Sequence, residues 1–143
     1  PPIPSFSPEH FSVAADSFTK KNKQVRRGIE QFDPKGVVQV LVSDRRGEQA
    51  PVLAAVGPMQ FEVAAHRMAS EMGAPITLEP LPYQVARIVD ADDVDFVNKQ
   101  SLAEVLTRTD GVHLVLFSNA WRLQGFQRDN PDVQLRSLVA AEG

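Results

Sequence analysis

Apolar and polar residues alternate along this chain with two periods, one near 2 and one near 3.6, and the switches between them delimit its elements. Residues 9–15 place Phe11 and Val13 on one face of a short strand. Thr19 to Phe32 has Val25, Ile29 and Phe32 at helical spacing, with basic residues on the other side, and predicts an amphipathic helix. Asp33-Pro34-Lys35-Gly36 ends that helix, because proline cannot continue the ladder and glycine suits a reversal. Val37 to Val42 is a compact, β-branched strand, and Val52 to Val56 is the next. The two are expected to form a hairpin with a polar tip at Ser43-Asp44-Arg45-Arg46-Gly47.

Gly57-Pro58 then turns the chain into a helix, with proline in its first turn. Phe61, Ala65, Met68 and Met72 make the predicted buried stripe, and Gly73 the stop. Ile76 to Leu81 and Tyr83 to Val89 read as extended chain interrupted by Pro82, which implies an edge or a bulge. The order to this point is β-α-β-β-α-β, so the expected fold is α+β, a ferredoxin-like split β-α-β sheet. The remainder reads as a C-terminal α/β extension. Asp92 and Asp93 are placed to cap a helix reaching Gln100, and Ser101-Leu102-Ala103-Glu104 carries capping-box spacing that predicts a further turn. Val112 to Phe117 is a strand. Ser118 or Asn119 caps a helix carrying Trp121, Leu123 and Phe126. Asn130-Pro131-Asp132 breaks it before a last short strand, Val133 to Leu138. No internal repeat is visible.

Composition narrows the classes. At 143 residues, 43% hydrophobic and 23% charged, the chain has the means for one domain with a real core. No apolar run approaches the roughly 18 residues of a membrane span. There are no cysteines, so disulfides and thiolate metal sites are excluded, as suits a cytoplasmic protein. The opening Pro1-Pro2-Ile3-Pro4 has no initiator Met, and residues 1–8 are expected to be a linker from upstream domains.

Candidate chemistry is sparse. There is no G-x-x-x-x-G-K-[ST] loop to cradle phosphates, and the glycines form no dinucleotide fingerprint. His10, His66 and His113 stand on three separate elements without metal-ligand spacing. We expect no catalytic, cofactor or metal residue here, and place Trp121 and Tyr83 as core or edge packing. The net charge of −3 argues against simple nucleic-acid binding, but its distribution is uneven. Asp90, Asp92, Asp93 and Asp95 cluster, and so do Lys20, Lys21, Lys23, Arg26 and Arg27. Lys20, Lys23 and Arg27 share one face of the first helix, where they can meet phosphates, and Arg45 and Arg46 can extend that surface. The plain alternative is a solvated helix face.

Two sets of motifs resemble a known superfamily. Gly57-Pro58-Met59-Gln60-Phe61-Glu62-Val63 with Arg67-Met68-Ala69-Ser70-Glu71, followed by Pro82 to Arg87, looks like the third domain of elongation-factor-G-type translational GTPases. Ile3 to Phe11, Lys23 to Gly36 running into Val37-Val38-Gln39-Val40, and Asn130 to Leu135 resemble, in order, the C-terminal domain of bacterial class II peptide-chain release factors (release factor three). Leu102 to Gly111 and the helix of Trp121 match only loosely.

The resemblance implies a parent that is a ribosome-stimulated GTPase removing class I release factors in translation termination. GTP and Mg would bind in a separate G domain, followed by a β-barrel domain, neither of them in this chain. Residues 1–143 would be a single non-catalytic domain that docks on the ribosome, touching rRNA and ribosomal proteins, and relays rearrangement between domains. No membrane partner is implied. Two other classes stay open at this level: a free-standing ferredoxin-like regulatory domain binding a small ligand, and a small hydrolase using His66 or His113 as base.

Overall fold

The computed structural model describes residues 8–16, 38–42, 51–71, 73, 75–100 and 103–138. Among them run β1 (His10–Asp16), β2 (Gln39–Val42), β3 (Val52–Ala55), α1 (Pro58–Glu71), β4 (Ile76–Pro80) and β5 (Val85–Val89). A 3-10 turn (Ala91–Asp93) then leads into α2 (Val94–Asn98), β6 (Ala103–Arg108), β7 (His113–Phe117), α3 (Ala120–Asp129) and β8 (Leu135–Arg136). All eight strands belong to one antiparallel sheet, ordered β4-β1-β3-β2-β6-β7-β5-β8. The fold is α+β, as the pattern of elements predicts.

The strand order holds a repeat that the sequence hides. The first four strands lie as 4-1-3-2, the ferredoxin-like order. Strands β5 to β8, numbered afresh, lie as 4-1-3-2 again when taken from the other end. The expected extension is therefore itself a β-α-β-β-α-β unit. The two units join through the antiparallel pair β2–β6, with Leu41 opposite Arg108 and Val42 opposite Thr107.

Chain length forces this sheet to curl. β4 and β5 stand first and seventh, about 29 Å apart if flat at roughly 4.8 Å per strand. Leu81 still donates to Phe11 O (2.8 Å) in line with β4, and Gln84 already donates to Phe117 O (3.0 Å) in line with β5. Three residue steps reach only about 11 Å. The sheet must curl until β4 comes near β5, and its inner face becomes one core: Phe11, Leu41, Val52, Ala54, Ala86, Leu106, Leu114, Leu116 and Leu138 are buried together. Eight strands enclose an interior that side chains can just fill. On the outer face, Ala64 and Met68 of α1 pack on Ala14, Val38, Val40, Leu53 and Ala55. Val97 of α2 and Leu123 of α3 pack on Val89, Ala103, Val105, Val115 and Phe117.

Several expectations change. Ile76 to Val89 is no single interrupted strand; Pro82 sits in the short crossing between two strands at opposite ends of the sheet. The capping-box spacing at Ser101–Glu104 starts no helical turn at Ala103 or Glu104, because Ala103–Thr107 pair residue for residue with His113–Phe117 and bury both faces. Asp92 and Asp93 occupy the start of the 3-10 turn and α2, yet neither helix start has a side-chain cap. The stripe of α1 runs through Ala64 and Met68 with Phe61 half-buried, one residue off the expected Ala65. Three signals hold: β2 pairs antiparallel with β3, Gly73 follows α1 at φ +61°, and Asn119 caps α3 by accepting from Arg122 N (2.9 Å); the helix expected over Thr19 to Phe32, the polar tip at residues 43–47 and Met72 lie outside the described residues.

Candidate functional site

The basic residues singled out from the sequence, Lys20, Lys21, Lys23, Arg26, Arg27, Arg45 and Arg46, lie outside the described residues, as does the helix expected to carry most of them. What the described residues settle is where positive charge is scarce. They hold seven Lys and Arg against thirteen Asp and Glu, so the chain's basic character concentrates in the stretch from Lys20 to Arg46.

Most described cations are tied down. Arg67 and Glu71 form a two-point pair along α1 (3.0 and 3.2 Å). Arg136 reaches Asp90 at 2.8 Å, drawing one residue of the acidic cluster into a contact between β8 and the end of β5. Arg108 holds Asp110 through two bonds, 2.9 and 2.7 Å, across the β6–β7 turn. Those bonds are the main reason the Asp110 carboxyl titrates below the ordinary carboxylate range; desolvation opposes them, and the Val112 amide adds to them.

The histidines do not converge. His66 is exposed on α1, and its carbonyl accepts from the Ser70 hydroxyl (2.9 Å). His113 Nδ1 lies 3.0 Å from the Thr107 hydroxyl across the β6–β7 pair. Among the described residues, no three of His, Asp and Glu group as metal ligands do. Tyr83 is half-buried at the crossing between the two units, and its hydroxyl donates to Glu104 Oε1 at 3.0 Å. That bond fastens the crossing to β6, in keeping with a packing role.

Two concavities stand out among the described residues. One, of about 600 Å³, lies where β1 begins, α1 begins and the crossing passes; Phe11, Pro58, Phe61, Leu81, Pro82 and Tyr83 line it. Beside it α1 presents an exposed apolar ridge of Met59 and Val63. The other, of about 240 Å³, lies along α3 between Phe117, Trp121, Arg122, Phe126, Arg128 and Asn130. Trp121 is 69% exposed, so it is not the core residue expected from sequence. The helical wheel carries the reason. Leu123 and Phe126 face the sheet, and at about 100° per residue Trp121 falls some 160° and 140° away from them. Arg122 places its guanidinium carbon 5.6 Å from the centre of the Trp121 ring.

Comparison with known proteins gives one consistent result. The model of the family described as class II release factor RF3, C-terminal domain, matches residues 1–127. Peptide chain release factor 3 of Symbiobacterium thermophilum is 37% identical over 142 residues, covering 97% of this chain and 26% of that protein. The protein of the same name in Microcystis aeruginosa is 40% identical over 139 residues, covering 96% and 26%. That of Synechococcus elongatus is 37% identical over 139 residues, covering 96% and 25%. The chain thus spans about a quarter of the length of the curated relatives it matches.

Proposed function

The chain belongs to the family of the class II release factor RF3 C-terminal domain, and from that premise we propose that it serves translation termination as the non-catalytic, ribosome-docking domain of a GTPase. In this reading the whole factor removes class I release factors in the cytoplasm, and GTP and Mg belong to its G domain. This domain contacts rRNA and ribosomal proteins and passes rearrangement between the ribosome and the G and β-barrel domains.

The observation that carries the reading is the co-linear match along residues 1–127, with identities of 37% to 40% to named release factors. The shared core lends it mechanical sense, since a body whose two halves have one interior moves as a unit. Charge supports the docking surface: against an acidic remainder, Lys20, Lys21, Lys23, Arg26, Arg27, Arg45 and Arg46 are where phosphates would be met.

The test uses the full-length factor carrying Lys20→Glu, Lys23→Glu and Arg27→Glu together. Ribosome-stimulated GTP hydrolysis and release-factor recycling should both fall, and co-sedimentation with ribosomes should lose part of its salt dependence. Wild-type values in both assays would remove the basic surface from the proposal.

A further inference from the structure

We propose that the cleft of α3 is a stacking site for a single unpaired RNA nucleotide, with Trp121 as the platform and Arg122 and Arg128 as the phosphate contacts. The proposal rests on the ribosome-docking reading and adds a second, separate point of contact to it.

Five observations converge on this cleft. Trp121 lies 69% exposed on a helix whose apolar side is already satisfied by Leu123 and Phe126, so the sheet does not need it. Its ring has a guanidinium alongside, Arg122 at 5.6 Å, and arginine and tryptophan planes are the two surfaces on which unstacked bases settle. Arg128 is 75% exposed, and its only close carboxylate among the described residues, Asp129, is a solvated neighbour at 3.7 Å. The cleft lining is mixed: Phe117 and Phe126 provide an apolar base, while Gln100 and Asn130, whose amide nitrogens donate to Phe96 O (3.1 Å) and Phe126 O (3.0 Å), keep amide oxygens for a base edge. The hollow of about 240 Å³ has room for one base.

The charge pattern favours RNA over a protein partner. The cleft holds two arginines, Arg122 and Arg128, against one carboxylate, Asp129, on a described surface that is otherwise acidic. Gly125 in the middle of α3 keeps the wall beside the ring low; a Cβ there would approach only the Arg128 guanidinium, at 3.6 Å.

The chain carries one tryptophan, so its fluorescence reports on this cleft alone. Titrating a short single-stranded RNA oligonucleotide into the 143-residue protein should quench that emission saturably. Binding of a dye-labelled oligonucleotide, followed by anisotropy, should weaken about 5- to 150-fold in Trp121→Ala, the range of one lost base–aromatic stack. Arg122→Gln with Arg128→Gln should weaken binding and flatten its dependence on log salt by about 1.4. The Lys20, Lys23 and Arg27 triple substitution should leave the quenching amplitude intact, which separates this site from the basic surface. The proposal is overturned if oligonucleotide binds without changing Trp121 emission, if Trp121→Ala binds as tightly as wild type, or if the emission responds only to the remaining domains of a full-length factor added in trans.

Discussion

Replacing Leu114 by alanine separates the wrapped sheet from any flat arrangement of the same strands. Leu114 lies mid-strand in β7, opposite Leu106 on one side and Ile88 on the other. Its side chain points to the face away from all three described helices, yet it is completely buried. On a flat sheet such a residue would meet water, and its truncation would change stability by no more than about 0.5 kcal/mol. In the wrapped sheet the missing carbons leave a hole in a core shared by both units, and the cost is about 2–5 kcal/mol. For a domain of this size that is some 8–20 °C in Tm at about 4 °C per kcal/mol. Urea unfolding of wild type and variant gives the free-energy difference. Amide hydrogen exchange adds the location: loosening should appear in β1 and β3 as well as in β6 and β7. A loss below about 0.5 kcal/mol, or protection in β1 and β3 that does not move, would refute the shared interior.

Three further measurements probe local claims. Asn119→Ala removes the side-chain acceptor for Arg122 N and should cost about 1 kcal/mol, read from urea midpoints, whereas Asn119→Ser should recover most of it. Gly111 has φ +90° with open space around it, so Gly111→Ala should cost about 1–2 kcal/mol through backbone strain alone and leave the urea m-value unchanged. The Asp110 carboxyl has its pKa depressed in the folded state, so its stabilisation is present above the unfolded carboxylate pKa near 3.9 and fades as pH falls through the lower folded value. Asp110→Asn should therefore be less stable than wild type at neutral pH, by under about 1 kcal/mol for so exposed a group, with the gap closing in acid.

Local signals were legible wherever one residue type answers to one geometric need. Gly57-Pro58 opens α1, Gly73 ends it with positive φ, Asn119 caps α3, and the β2–β3 hairpin follows from two apolar runs. What stayed hidden depends on partners far along the chain. Ala103 and Glu104 look like the end of a capping box until β7 is beside them to complete a ladder. Pro82 looks like a flaw in one strand because nothing local says that Ile76–Pro80 and Val85–Val89 belong to two strands six positions apart in the sheet. Trp121 was the exception, a residue whose exposure the sequence did carry. Measured against Leu123 and Phe126 on the helical wheel it points outward, and hydrophobicity alone concealed that. The basic surface was read from charge and lies outside the described residues, so its geometry rests on the substitution assays.

The doubled strand order explains how one sequence can repeat a fold without repeating itself. Each unit needs only alternating apolar positions and a helix at two points, and the two meet those needs differently. Among the described residues, the fourteen of α1 pack on the outer face of the first unit, and the ten of α3 and five of α2 on that of the second. The wrapping has a mechanical consequence. Parting the units at β2–β6 would expose Phe11, Leu41, Leu106, Leu114 and Leu116 together, at about 1.5–3 kcal/mol for each. That sum is comparable to the entire 5–15 kcal/mol by which domains of this kind are stable. A rearrangement that spared the fold could not open this domain along its seam, so any motion it relays passes through it as a rigid displacement.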